Sequence, residues 1–361
     1  MFKLDARTIK VTNTLCLVVS RVEKIVRHAG AELPPSRETW PLAQLSRLGG
    51  NSAALGKRIF VTHPLLEDDA AEIRATIRQL INCAKWRRHS NIIFVCGGNT
   101  DNHMRTQFVR FASDQLPQYQ LIKPEDAIRD NVGAAPARYI DLGKFEALIA
   151  DLSHCVIIFP EAEGSYTELG MFSAKDEISK KTLVAIDLKY QVGDSFISQG
   201  PVSKYNDVSD FKPCVYIDYE TPNFELIKRR LGDRGDPRLN KRRFKHSFST
   251  WNETGNFLKL SVIYAIIDLT RFINLDALGR ILFSIFRTRP PQQEVVDLVS
   301  ILIGSGFCRY INDRELLAAA ERSSDFVQYS TITEEIELKA EINSYYYETG
   351  SFQDLFEEEA A

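Results

Sequence analysis

Short, mostly apolar runs recur through the middle of this chain: IIFVC (Ile92 to Cys96), YQLI from Tyr119, CVIIF (Cys155 to Phe159) and TLVAI (Thr182 to Ile186). Helix-period patterns separate them, marked by Met104, Phe108, Phe111 and Ala112, then by Phe145, Leu148 and Ile149, then by the segment after Ser165. Strands apolar on both faces and joined by helices pair as a parallel sheet covered on two sides. The fold class expected is therefore α/β, a Rossmann-like parallel sheet that CVYI from Cys214 closes. Ligands of such sheets sit at the carboxyl ends of the strands. Two glycine-marked turns fall there: CGGN after the first run and FPEAEGSYTELGMF, Phe159 to Phe172, after the third.

At 361 residues the chain is long enough for two or three cores. A net charge of −3 with 26% charged residues gives no global pull toward nucleic acid or membrane, so any such attraction is local. The six cysteines lie far apart without a CxxC pair or clustered histidines, so they read as reduced thiols of a cytoplasmic protein and no metal site is expected. The runs LCLVVS and FLKLSVIYAIIDL are interrupted or closely flanked by charges, so neither is expected to span a membrane.

Five segments follow. Residues 1–57 form an appendage, an amphipathic helix from about Leu15 to Val26 and a loop rich in Pro, Gly and Ser. The α/β domain spans 58–222 and a basic linker spans 223–256. Residues 257–332 carry three helical patterns and a possible hairpin, the outline of a winged helix. The acidic stretch 333–361 is expected to be partly disordered. Nine cations fall between Lys228 and Lys245 against Asp233 and Asp236. Arg229, Arg230, Lys241, Arg242, Arg243 and Lys245 are candidate phosphate contacts, and a solvated linker is the structural alternative.

Glu168 is the candidate nucleophile. A glycosidic bond breaks through an oxocarbenium-like state at the anomeric carbon, which a carboxylate beneath it stabilises or captures. Gly164 lets backbone approach a sugar, Ser165 and Thr167 offer hydroxyls, and Asp151 is placed to orient sugar or base. Gly97, Gly98, Asn102, His103, Glu125 and Asp126 complete the candidate substrate set. The same letters also read structurally. Ser165 and Glu168 have the spacing of a capping box, and His103 suits a loop. Glu161 and Glu163, just before Gly164, read as lid or rim.

The order of motifs, CGG with Asn102 and His103, PED, FPEAEGSYTELGMFS and SFISQGPV from Ser195, resembles the effectors of type II retrons, bacterial anti-phage systems. The resemblance covers roughly Leu66 to Arg322. It implies a nucleoside 2-deoxyribosyltransferase-like domain followed by a winged helix, with Glu168 matching the family's nucleophile and Gly97 with Gly98 its first ligand loop. It implies an N-glycosidase toxin that cleaves the nicotinamide–ribose bond of NAD⁺ as its substrate, with no cofactor. It also implies a reverse transcriptase with its RNA-linked DNA (msDNA) as restraining partners, and higher-order oligomers. Two alternatives stay open: a nucleoside or nucleotide deoxyribosyltransferase or hydrolase, and a non-catalytic nucleotide-sensing, DNA-binding regulator.

Overall fold

A computed structural model of the chain describes residues 62–129, 141–191, 194–234, 242–311, 315–320 and 326–360. The expected N-terminal helix and loop, Cys16, the 57/58 boundary and Lys241 lie outside the described residues.

After two short 3₁₀ turns, helix α1 (Ala71–Cys83) buries Ile73, Ile77, Leu80 and Ile81 on one face. Strand β1 (Lys85–Arg87) follows, then β2 (Ile92–Cys96), α2 (Met104–Gln115), β3 (Gln120–Ile122), α3 (Pro124–Arg129), α4 (Leu142–Leu152) and β4 (Cys155–Ile158). The chain continues through α5 (Glu163–Ser173), α6 (Asp176–Lys180), β5 (Thr182–Asp187), α7 (Ser203–Val208) and β6 (Val215–Ile217).

Five of these strands form one sheet in the order β3-β2-β4-β5-β6, parallel throughout. Every residue of β2 and β4 is buried, so neither face meets water. Ile92, Phe94 and Cys96 point into one cluster with Phe145 and Ile149 of α4. Ile93 and Val95 point into the other with Phe108 of α2 and with Ile227 and Leu231. Each such buried side chain contributes roughly 1.5–3 kcal/mol, which is why the apolar runs become the centre of the sheet. The chain leaves β2 toward β3 on one side and builds β4, β5 and β6 on the other. The strand order therefore reverses between β2 and β4, and the crevice at their carboxyl ends is the expected ligand position.

The described residues of the stretch expected as a basic linker include two elements. Helix α8 (Glu225–Asp233) packs Ile227 and Leu231 on the sheet, and β7 (Arg243–Lys245) pairs antiparallel with β1. Helices α9 (Asn256–Thr270), α10 (Leu275–Phe286) and α11 (Gln292–Gly304) then lead into an antiparallel hairpin, β8 (Cys308–Ile311) and β9 (Leu316–Ala319), in the winged-helix order. Helix α9 is buried on all sides from Leu258 to Ile267, which explains its apolar sequence. Among the described residues no helix is long and apolar enough to cross a membrane.

Two expectations of organisation are corrected. One hydrophobic cluster runs from α4 and β2 through α9, α10 and α11, so the described α/β and helical parts share a core instead of separating at residue 257. The acidic C-terminal stretch, expected to be partly disordered, forms α12 (Ile332–Glu348) and α13 (Gln353–Ala360) after a short strand β10 (Val327–Gln328). Leu338, Ile342 and Tyr346 are buried, and the Tyr346 hydroxyl donates to Phe272 O at 3.0 Å. A buried stripe at helical spacing outweighs the charge that suggested disorder.

Candidate active site

The crevice at the carboxyl ends of β2 and β4 gathers four ionisable side chains and a thiol. Glu168 projects from the second turn of α5 and is 9% exposed. Burial first, then the negative charge of Glu146 on α4, pushes its carboxyl up to about 8. A hydrogen bond from the Cys96 thiol and the nearby Arg105 cation act in the opposite direction, and Glu125 adds to the rise. The Cys96 thiol, fully buried at the end of β2, is itself held far above its ordinary range by burial and by Glu168, so it stays a neutral donor. Glu146 is half-buried and raised by burial and by Glu125.

Arg105 ties the crevice together. It is 5% exposed; its Nε donates to Gly98 O at 2.9 Å, and its Nη1 and Nη2 reach the two Glu125 oxygens at 3.1 and 2.5 Å. Arg105 thus pairs with Glu125 and acts on Glu168, while Glu146 adds a further carboxyl, so carboxyl groups outnumber cations in the crevice. A carboxyl in such surroundings is neutral when the site is empty and becomes ionised when positive charge arrives beside it.

The capping reading of Ser165 and Glu168 is resolved by the helix start. Helix α5 begins at Glu163, one turn before the position a Ser165 cap requires. Ser165 Oγ reaches back to accept from the amides of Glu161 and Ala162, both at 3.0 Å, and donates to Ala162 O at 2.7 Å. Ser165 thus closes the helix start as a structural residue, and Glu168 has no role in the cap. The neighbouring Glu161, read as lid or rim, accepts from the backbone amides of Gly98, Met104 and Arg105 at 3.0, 2.6 and 3.1 Å. It clasps the loop after β2 to the loop after β4 and occupies the free amides of the α2 N-terminus.

Other sequence candidates distribute unevenly. Gly97 and Gly98 lie in the crevice wall, yet protein contacts account for both. A Cβ on Gly97 would meet Arg105 Cβ at 2.7 Å, and one on Gly98 would overlap the His103 ring. Gly164 is different, because a Cβ there would meet nothing within 4 Å. Glu125 belongs to the crevice through Arg105, whereas Asp126 pairs with Lys123 at 3.2 Å. His103 accepts from Thr100 N at 3.0 Å, Asn102 is exposed, and Thr167 is exposed with its hydroxyl donating to Glu163 O at 3.0 Å.

Asp151 is a correction. It lies in the last turn of α4, before β4 begins, and so sits at the amino edge of the sheet. There it accepts from Asn256 Nδ2 at 2.9 Å and is exposed, across the full height of the strand from Glu168. Glu146 occupies the crevice end of the same helix. Its only sequence signal is a carboxylate in the first half of the mostly apolar pattern of α4. Arg105 and Cys96 gave no signal, the first being one cation at a helix start and the second one of several buried thiols.

The candidate nucleic-acid residues divide as well. Arg229 and Arg230 lie on α8, while Arg242, Arg243 and Lys245 lie at β7. Two clefts lie apart from the crevice. One of about 550 Å³ between α9, β10 and α12 holds Lys339 at 2.8 Å from both Asp268 and Glu335. One of about 410 Å³ between α10 and α11 includes Arg280, Phe283 and Arg289. The SFISQGPV segment forms a short π-helical turn, Ser198–Val202, that packs against α5, with Phe196 85% exposed beside it.

The family model described as STM3845 retron effector protein matches residues 101–310, more than half of the chain and a stretch that includes Arg105, Glu125, Glu146 and Glu168. A retron Ec86 protein of Escherichia coli, named as a candidate ribosyltransferase/DNA-binding protein, is 34% identical over 122 residues, 32% of this chain and 39% of that relative. The equivalently named retron Ec73 protein of Escherichia coli is 26% identical over 152 residues, 40% of this chain and 48% of the relative. The chain thus matches less than half the length of either.

Proposed function

Since the chain belongs to the retron effector family, we propose that it is an N-glycosidase effector that cleaves the nicotinamide–ribose bond of NAD⁺. The observation that carries this reading is Glu168, a buried carboxyl raised to about 8 in a crevice with net negative charge at the strand-order reversal. That environment favours a cationic ligand, and the pyridinium of NAD⁺ supplies one. Its arrival lowers the Glu168 pKa and releases a proton, so the nucleophile forms as the substrate seats.

Chemistry then follows from charge. The Glu168 carboxylate attacks C1′, or stabilises its developing positive charge, while the C1′–N bond breaks and its electron pair leaves with nicotinamide. Nicotinamide departs neutral and takes up no proton. Water then attacks C1′, restoring the Glu168 carboxylate and leaving ADP-ribose; the proton of that water passes to solvent or to a neighbouring carboxylate. Arg105 fixes the loop after β2, and the neutral Cys96 thiol orients the carboxylate.

In the same reading, the reverse transcriptase and its RNA-linked DNA bind the protein and restrain it, consistent with the DNA-binding role in the names of its relatives. Nicotinamide release by the purified full chain tests the catalytic half, with free-base release from deoxynucleosides run in parallel. Glu168→Gln is expected to reduce release at least about 10³-fold. Full activity in that variant overturns the proposed mechanism, and base release without nicotinamide release overturns the substrate.

A further inference from the structure

Helix α10 is apolar on two faces. Toward the core it buries Leu278, Ile281, Leu282 and Ile285. Leu275, Gly279 and Phe283, spaced four apart, form a second stripe on the wall of the cleft of about 410 Å³ between α10 and α11, and Phe283 is 48% exposed. Val295 and Val296 of α11, with Leu66, extend the apolar lining. A glycine inside a helix destabilises it relative to alanine, and the fold does not demand one here, since a Cβ on Gly279 would meet nothing within 4 Å. What the glycine provides is close access to the helix backbone from the cleft side. Two cations stand on the rim. Arg280 and Arg289 are exposed, and among the described residues neither guanidinium has an ion pair or a hydrogen bond. Asp276, on the same wall, lies in the first turn of α10, where the helix dipole accounts for a carboxylate.

We propose that this cleft is a docking groove for an acidic amphipathic helix of a partner protein. The apolar side chains of that helix would lie on Leu275 and Phe283 and cross α10 at Gly279, where the absent side chain lets two helix backbones approach. Its carboxylates would pair with Arg280 and Arg289. Charge complementarity selects this occupant, because carboxylates supply the partners that both guanidiniums lack among the described residues. A phosphate backbone would also meet the two arginines, but it would leave the stripe from Leu275 to Phe283 in water and would face Asp276. An anion that carries apolar side chains satisfies both halves of the groove. The surface uses no side chain of the Glu168 crevice, so it is separate from the proposed chemistry.

The test uses the full chain and a displayed library of helical peptides of about 16 residues with randomised apolar and charged positions. Peptides are selected on the wild type after depletion on Gly279→Leu, which fills the groove. Those recovered are expected to carry net negative charge and apolar side chains at i and i+3 or i+4. The tightest of them, labelled with fluorescein, is expected to bind the combined Arg280→Ala and Arg289→Ala variant at least about tenfold more weakly, with a shallower dependence on NaCl. Gly279→Ala is expected to raise Tm by about 1–3 °C, because the fold has no need of the glycine. Both groove variants are expected to keep Tm within about 3 °C of the wild type, which separates a lost surface from a lost fold. Recovered peptides without net negative charge, no enrichment over Gly279→Leu, or unchanged affinity in the arginine variant would overturn the proposal. So would displacement of the peptide by a single-stranded DNA oligonucleotide whose own binding is lost in the arginine variant and kept in Gly279→Leu, and so would self-association of the chain that Gly279→Leu abolishes in sedimentation. Absence of nicotinamide release from the wild type removes the glycosidase reading and leaves this test intact.

Discussion

The two ends of the parallel sheet carry opposite chemistry. At the carboxyl end Glu125 and Glu168 meet one arginine beside Glu146, and Glu161 caps a helix; at the amino end Arg87, Arg88 and Lys181 act on His89. The topology supplies a common cause. Each helix that follows a strand starts at the carboxyl end, where backbone amides and the helix dipole favour anions, and finishes at the amino end, where carbonyls favour cations. What differs is burial. Glu168 is enclosed, so its ionisation is coupled strongly to whatever binds, whereas Lys85, Arg88 and Lys245 face water and act through a screened, additive field.

The contrast is broken most directly by pH. The Glu168 carboxyl is raised in the folded protein, so its neutral form favours folding: that contribution is complete below the unfolded pKa near 4.5 and is lost as pH rises through about 8. Thermal unfolding of wild type and Glu168→Gln should therefore coincide near the acid end and diverge by on the order of 3 kcal/mol in favour of the variant at the alkaline end. In the wild type kcat/KM for nicotinamide release should climb with pH toward a plateau above about 8, while kcat, which reports the substrate-bound state, should level off at lower pH. Coincident profiles would mean that the bound substrate brings no positive charge to the carboxyl.

Arg105→Met comes next. It leaves Glu125 without its guanidinium and frees the Gly98 carbonyl, so chemical denaturation should show a loss of about 3 kcal/mol, and the kcat/KM profile should move to higher pH. Ser165→Ala removes the closure of the α5 start and is expected to cost about 1 kcal/mol in urea unfolding, with activity falling less than tenfold. The smallest effect belongs to Asp151→Asn. At the opposite edge of the sheet it should leave kcat/KM within about twofold, and a large loss of activity there would break the division between the two ends.

Much of this arrangement was legible in the sequence. The runs IIFVC, CVIIF and TLVAI became central parallel strands because residues apolar on both faces have no stable place except between two helical layers. Glu168 was legible because its segment follows such a strand. The crevice partners were not, since Glu146 and Arg105 look like ordinary helix residues until α4 and α2 pack on the sheet. Asp151 was misplaced because proximity to β4 in sequence does not say which end of the strand a helix residue reaches. The helical tail was hidden because its charges outnumber the few side chains it buries.

The amino-acid sequence by itself determined the layered α/β architecture, the order of helices and hairpin that follows, and one carboxylate at a strand's carboxyl end, because local periodicity and turn residues act over a few positions. Only the tertiary structure decided which charges meet. It brought Glu125, Glu146 and Glu168 together around the Arg105–Glu125 pair in the crevice, and it laid KWR against RFK across a ladder whose strands lie far apart in the chain. Burial and charge coupling depend on distance in space, and no periodic signal along the chain encodes that distance.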